Sequence, residues 1–354
     1  MEILQSAQYP EYLAFCEKMG AHFMQIPNWG QVKSGWESEI LVQREAGEIC
    51  AGVLLLRRKV GPFCLLYAPR GPVCDLEHLE GLMEDVLRYA KKRHACCLKL
   101  DPHIPAEQQE YAAHLQALGF TQIPAGAMGN TQPKFVYQIQ IAHRDAEQIL
   151  QNFAPKTRYN VRVAGRKGVQ IWRGGSERIS EFYPLLVETG RRDGFVVRQM
   201  QYYENLLDQM GEYAQLFLAE YEGKPIAGAI AIWFGKHAWY LYGASSNAHR
   251  GAMPNYLMQY QMMLWAREKG CDIYDMRGIS GNLSEDNPLY GLYRFKKGFG
   301  HRGGVGYIQE LLGEYERPIN RPAWACYRAA LRVRKWYKKR LLKKFRQKGA
   351  TAKQ

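Results

Sequence analysis

Apolar runs of strand length recur along this chain in a fixed order. Gly47-Glu48-Ile49-Cys50-Ala51-Gly52-Val53-Leu54-Leu55-Leu56 is a turn followed by a β-rich apolar run, and Phe63-Cys64-Leu65-Leu66-Tyr67 follows as a second. A loop, a segment of helical period opening at Leu82-Met83 and a third apolar run, Cys96-Cys97-Leu98-Lys99-Leu100-Asp101, complete the unit. The same order returns in the second half. Gly223-Lys224-Pro225-Ile226-Ala227-Gly228-Ala229-Ile230-Ala231-Ile232 precedes Ala238-Trp239-Tyr240-Leu241-Tyr242, then a helical segment at Leu257-Met258, then Cys271-Asp272-Ile273-Tyr274-Asp275-Met276-Arg277. Short apolar runs bounded by turn residues read as buried strands, and alternation with helix-period segments reads as an α/β layer arrangement. Strand, hairpin, strand, helix, strand, occurring twice, predicts two related α/β (α+β) domains with central mixed sheets.

The junction is expected near Ile141–Asp145, after the Gly/Pro-rich stretch Pro124–Pro133 and an apolar strand at 135–141, with Asp145 as cap of the next helix. This gives a first domain at 1–143, a second at 144–306, and a strand within 307–322 that returns to complete the first. Residues 323–348 contain no Pro or Gly and are rich in Arg, Lys, Leu and Ala, so a long helix is expected inside a C-terminal segment 323–354. Trp324, Tyr327, Leu331, Leu342 and Phe345 share one side of it, interrupted by Arg334, Lys335 and Lys338, whose stems can snorkel.

Charge changes the picture at one place. The 354 residues carry 48 Lys and Arg against 34 Asp and Glu; 14 of the basic residues and none of the acidic ones follow Glu316, so the body holds 34 of each. A neutral body argues against a sequence-reading DNA protein, which carries its basic face on the folded domain. The eight cysteines form no CxxC pair and Cys96 adjoins Cys97, which suits neither a disulfide framework nor a zinc site. With no HxxxH or HxH spacing, no metal is expected. The N-terminus lacks a basic-then-apolar leader and no apolar run approaches the ~20 residues of a membrane helix, so a reduced cytoplasmic protein is expected.

The repeated unit suggests the acetyltransferase-like (GNAT-like) fold, in which a splayed sheet admits an acyl donor. An acyl-CoA enzyme needs successive backbone N–H groups at a helix N-terminus to hold pyrophosphate. The corresponding segments, Tyr67–Val73 and His249–Asn255, contain prolines that remove donors, so an acyl-CoA N-acyltransferase is the second reading.

Five segments in order resemble the Fem-type (FemABX) aminoacyltransferases, which add amino acids from aminoacyl-tRNA to the stem peptide of a peptidoglycan precursor. They are Asn28-Trp29-Gly30-Gln31-Val32-Lys33, Leu66–Val73 (LYAPRGPV), Leu98-Lys99-Leu100-Asp101-Pro102, Lys156-Thr157-Arg158-Tyr159-Asn160 through Gly168-Val169, and Gly291–Gly300 (GLYRFKKGFG). The resemblance covers most of residues 1–316 and implies two tandem acetyltransferase-like domains, in agreement with the repeat. It also implies the chemistry. An aminoacyl-tRNA ester is already activated, so the enzyme mainly aligns an attacking amine and stabilises a developing oxyanion, without a covalent nucleophile or cofactor. The amino acid would be glycine, alanine or serine, and the acceptor lipid-linked or UDP-linked.

By the family's motifs, Lys33 and Arg198 hold the precursor's phosphates with Tyr202 and Tyr242 beside them; Arg198 and Tyr202 share a face if both lie on a helix. Phe295 is the candidate to stack on the terminal adenine of tRNA, Lys297 to contact its phosphate, and Lys296 matches the essential lysine. Asp101 matches a position assigned as general base, and equally suits a role in stabilising the loop at Pro102. Some family members carry a helical arm in the second domain; Met200–Gly223 leaves no room for one. The basic tail suits an anionic membrane surface at the inner face of the membrane, with a tRNA clamp or a solvated tail as alternatives. A non-catalytic membrane-surface adaptor of the same fold is the reading from a different class.

Overall fold

The computed structural model describes residues 1–127, 129–333 and 336. Its strands run in chain order as β1 (Glu2–Ile3), β2 (Glu37–Glu45), β3 (Glu48–Val60), β4 (Phe63–Ala68), β5 (Val73–Cys74), β6 (Ala95–Leu100), β7 (Thr121–Gln122), β8 (Phe135–Gln140), β9 (Gln170–Gly174), β10 (Ala214–Tyr221), β11 (Lys224–Phe234), β12 (His237–Ser245), β13 (Ile273–Gly278), β14 (Gly306–Glu310) and β15 (Tyr315–Pro318). They form two mixed sheets, ordered β1-β2-β3-β4-β6-β15-β7, with β5 on β3, and β14-β8-β13-β12-β11-β10-β9.

The repeated apolar runs are the centres of these sheets. β3 and β4 pair antiparallel and β4 pairs parallel with β6; β11, β12 and β13 repeat the pattern. The crossover between each parallel pair is a helix. Leu76–Lys92 buries Leu79, Leu82, Met83, Val86, Tyr89 and Ala90, the three- and four-residue spacing of one helical face. Pro254–Glu268 plays the same part in the second half, burying Met258, Met262, Met263, Trp265 and Ala266. Asp145 caps Ala146–Gln151, its carboxylate accepting from the Gln148 N–H at 2.8 Å.

Two expectations are corrected by the pairing. The strand expected to close the first half, β8, lies inside the second sheet between β13 and β14. An alternating apolar run fits the edge of either sheet, and only long-range pairing assigns it. The return to the first sheet is made by β15, which pairs with β6 and β7, while β14, within the segment expected to return, stays in the second. The sheets share a core in which Tyr12, Phe23, Trp29 and Leu54 of the first half meet Phe182, Leu206, Ile230 and Trp239 of the second. Across this junction the Asn205 amide donates to the carbonyls of Gln31 and Val32, and the Asn28 amide to Gln209.

The C-terminal helix is seen over 321–333. Trp324 is buried against Leu65, Cys96 and Cys97 of the first sheet with Tyr327 beside it, and the Trp324 indole and Arg328 both reach Glu316. The aromatic end of the expected membrane-facing stripe is therefore a docking face for the protein's own sheet. Leu331 and Val333 are exposed. The calls on Arg334, Lys335, Lys338, Leu342 and Phe345 lie outside the described residues.

Candidate functional site

The two halves differ at their parallel pairs. β4 and β6 stay paired over five positions, from Cys64/Ala95 to Ala68/Leu100. β12 and β13 pair over three, ending at Trp239/Asp275, and then part. Each has a bulge where they part. Against β11, Ile230 faces Tyr242 and Ala231 faces Tyr240, so Leu241 is an extra residue in β12. Against β8, the register slips between Asp275 and Gly278, and Arg277 there has φ +64°. Bulges bend a strand and re-aim its side chains, and a non-glycine residue in the left-handed region is a costly conformation concentrated at functional sites. The result is a splay in the second sheet flanked by Tyr242 on β12 and Arg277 on β13.

Lys296 closes the far side of this splay. It lies in the helix Tyr290–Lys297, is 4% exposed, and donates from Nζ to the Gly278 carbonyl at 2.7 Å. Burial pushes its amine down to about 7; Arg277 adds to this and Asp275 opposes it. An amine near neutrality in a dry site serves as a proton donor or as a cation toward developing negative charge. Asp275, 1% exposed, accepts from the Arg277 N–H at 2.5 Å and the Gln138 amide at 3.0 Å, fixing the turn whose Gly278 carbonyl holds Lys296.

Lys33 and Arg198 form the other part of the site. Lys33 follows the helix Pro27–Val32, and its Nζ lies 5.5 Å from the Tyr67 ring, 5.7 Å from Trp36 and 6.0 Å from Trp29. Burial pushes this amine down to about 8, the nearby Arg198 charge adding to the effect and Asp101 opposing it. Among the described residues no carboxylate lies within ion-pair distance of Lys33 or Arg198. Two unneutralised cations beside aromatic faces suit a phosphate. Arg198 is not on a helix with Tyr202: it precedes the helix Met200–Met210, with Gln199 as its N-cap, and reaches back over the Tyr202 ring at 4.5 Å. The Tyr202 and Tyr242 hydroxyls meet at 3.1 Å, and a cleft of about 650 Å³ opens beside Val32, Arg198, Gln199, Tyr202 and Asn205.

Asp101, at the end of β6, is 2% exposed with both oxygens occupied: one accepts from Tyr67 Oη at 2.6 Å, the other from the Arg70 N–H at 2.7 Å. Burial raises its pKa while the Arg70 charge holds it down. These contacts place it behind the Lys33 cage, supporting Tyr67 and the loop. Phe295 packs on Tyr256 and Phe299, with centroids 5.4 and 5.1 Å away, and Lys297 is exposed over Tyr293 at 5.7 Å. The structure thus brings Lys33, Arg198, Tyr202 and Tyr242 together, sets Lys296 across the splay, and keeps Phe295 in an aromatic stack. Arg277 went unassigned by sequence reasoning. Its guanidinium donates from Nη2 to Gln132 Oε1 at 2.8 Å, and burial pushes it down to about 10, with the nearby Arg70 charge adding to the effect. An arginine at the end of an apolar strand was the available signal.

Two mixed sheets with a splayed parallel pair define a tandem acetyltransferase-like protein. A tandem GNAT protein from the clavulanic acid biosynthesis pathway has the same fold, with TM-score 0.54 at 11% identity over 90% of this chain and 98% of that one. The chain belongs to the FemAB family, whose sequence model matches residues 7–224 and 220–332. It is 30% identical to the lipid II:glycine glycyltransferase of Staphylococcus saprophyticus, over 85% of this chain and 89% of that protein. That alignment spans 376 positions, more than the 354 residues present, so the relative carries insertions. The crystal structure of FemX superimposes with TM-score 0.82 at 26% identity, covering 92% of this chain and 99% of that one.

Proposed function

We propose that this protein transfers an aminoacyl group from aminoacyl-tRNA to an amine on the stem peptide of a lipid-linked peptidoglycan precursor, working at the inner face of the membrane. Glycine is the donor to test first, because the staphylococcal relative is a glycyltransferase acting on lipid II. The observation that carries the reading is the splay between β12 and β13, with Lys296 held at its end and the Lys33–Arg198 pair beyond Tyr242.

In this reading Lys33 and Arg198 hold the precursor's phosphates, and Tyr202 and Tyr242 shape the wall of the groove. The neutral amine attacks the ester carbonyl, a C–N bond forms, and the C–O bond to the ribose breaks. Lys296, as ammonium, stabilises the oxyanion and gives its proton to the departing ribose oxygen; the attacking amine's proton then restores it. Asp101 positions Tyr67 and the Arg70 loop, each of its oxygens accepting one hydrogen bond from them. Lys297 is the exposed cation available to tRNA phosphate.

The test is transfer of labelled glycine, alanine or serine from charged tRNA to lipid-linked and UDP-linked precursor by the purified full chain. Label is expected on the stem peptide with wild type and lost with Lys296→Met. Absence of transfer from every charged tRNA would refute the reading and favour a non-catalytic adaptor.

A further inference from the structure

The loop that presents Arg198 carries two apolar side chains on its outside. The helix Ile179–Asp193 ends at Gly194, whose φ of +77° turns the chain, and the N–H groups of Gly194 and Phe195 both donate to the Gly190 carbonyl, at 2.9 and 3.1 Å. Val197 packs into the shared core, so close to the helix that a Cβ at Gly190 would meet its Cγ2 at 2.4 Å. The chain is thus held on both sides of Phe195 and Val196, yet these two are 48% and 76% exposed. Their exposure belongs to a packed loop and not to a frayed one.

Isolated apolar side chains are ordinary on a protein surface. These two adjoin the phosphate-binding cleft: Val197, Arg198 and Gln199 line it, and Val196 stands two residues from Arg198, within about 7 Å along the chain. Arg191, Arg192 and Arg198 flank the pair against one carboxylate in the loop, Asp193, which Arg192 holds at 2.8 Å. Glu188, on the preceding helix, accepts from the Asn247 N–H. Among the described residues no carboxylate lies within ion-pair distance of Arg191. From the first half, Trp36 belongs both to the Lys33 cage and to the cluster that seats Trp324, so the basic C-terminal helix borders the same site.

We propose that Phe195 and Val196 enter the acyl-chain region of an anionic bilayer and so set the Lys33–Arg198 cleft at the depth of the lipid headgroups. The inference rests on the lipid-linked acceptor of the proposed function. Such a precursor carries its phosphates where its polar part joins the lipid chain, so a cleft that holds those phosphates stands at the membrane surface and its lip meets lipid. Arg191 and Arg198 then lie among anionic headgroups, which attract each of them. A second copy of the chain is the other surface able to cover the pair. Charge weighs against it, because a self-complementary contact at this loop would bring the arginines of both copies together.

The test is cosedimentation of the full chain with vesicles of phosphatidylglycerol and phosphatidylcholine, which reads binding without transfer. The double variant Phe195→Ser/Val196→Ser should partition about tenfold more weakly than wild type, the C-terminal helix supplying what remains. Phe195→Leu/Val196→Leu keeps the apolar surface and should stay within about twofold of wild type. Equal pelleting of wild type and the Ser variant would overturn the proposal, as would an equal loss in the Leu variant, which would show that loop shape and not apolar surface matters. A wild-type dimer in sedimentation velocity that the Ser variant dissolves would assign the pair to a second copy instead. Absence of transfer with the expected pelleting would fault the activity alone; transfer with equal pelleting would fault the membrane lip alone.

Discussion

Replacing Lys296 by Met separates two consequences of burying an amine in the candidate site. In the folded chain Lys296 has its pKa lowered from 10.5 to about 7, with burial as the largest cause. Between those values the unfolded chain holds one proton more than the folded one, so wild-type stability rises with pH across this window and the penalty of the buried charge is fully present below 7. At 1.36 kcal/mol per unit the shift is worth at most about 5 kcal/mol, and relaxation around the amine brings the expected value to about 2–5 kcal/mol. Met removes the amine and this dependence with it. It also leaves the Gly278 carbonyl without its 2.7 Å donor, an offset of about 1–3 kcal/mol that does not vary with pH. Urea unfolding of both proteins at pH 6, 7, 8, 9 and 10 gives the stability difference, in which the other titrating groups cancel. The Met variant should gain on wild type by about 2–5 kcal/mol at pH 6 relative to pH 10 while losing transfer activity. A difference that stays flat from pH 6 to 10 would show that the amine keeps its ordinary pKa, and the role assigned to Lys296 as a proton donor near neutrality would fall with it.

Arg198→Ala should weaken precursor binding by about 1.5–3 kcal/mol, read by titration calorimetry, with tRNA affinity unchanged, because its guanidinium meets Tyr202 and no carboxylate. Asp101→Asn should cost about 1.5–3 kcal/mol of stability in urea through Tyr67 and the Arg70 N–H; a stable variant with abolished turnover would instead make Asp101 the general base. Tyr202→Phe should cost about 0.5–1.5 kcal/mol, the net worth of its bond to Tyr242, measured the same way. Trp324→Ala should release the C-terminal helix from Leu65, Cys96 and Cys97, a large-to-small change worth about 3–5 kcal/mol, and tryptic cleavage after Arg328 should speed up accordingly.

The repeated halves were legible because their strands are short apolar runs bounded by turns, a local signal. Asp145 as a helix cap was legible for the same reason. The membership of β8 was not, because pairing with β13 and β14 joins residues far apart in the chain and leaves no local mark. The shared helix face expected if Arg198 and Tyr202 lay on one helix is absent; the two meet because the arginine reaches the ring from the preceding loop. Trp324 and Tyr327 read as a membrane stripe because an apolar stripe on a basic helix looks the same whether it meets lipid or protein. Lys296 reads as one of two cations in a charged run; its burial comes from the helix Tyr290–Lys297, which turns it onto the Gly278 carbonyl while its neighbour Lys297 faces solvent.

Why one half of a duplicated fold carries the candidate chemistry follows from how its strands part. In the first sheet β4 and β6 remain paired to their ends, so the space beyond Ala68 and Leu100 is taken by the protein's own Asp101, bonded to Tyr67 and to the Arg70 N–H. In the second, the extra residue Leu241 and the register slip before Gly278 bend β12 and β13 apart beyond Trp239 and Asp275. Backbone freed from pairing in a buried sheet needs other partners, which makes such a splay a place for a substrate. The first half contributes one cation to the site: Lys33, on its aromatic cage, faces the shared junction where Tyr202 and Tyr242 meet. The candidate site is therefore composite, with Lys33 from the first half meeting Arg198, Tyr202, Tyr242 and Lys296 from the second, and the shared core fixes the halves against each other.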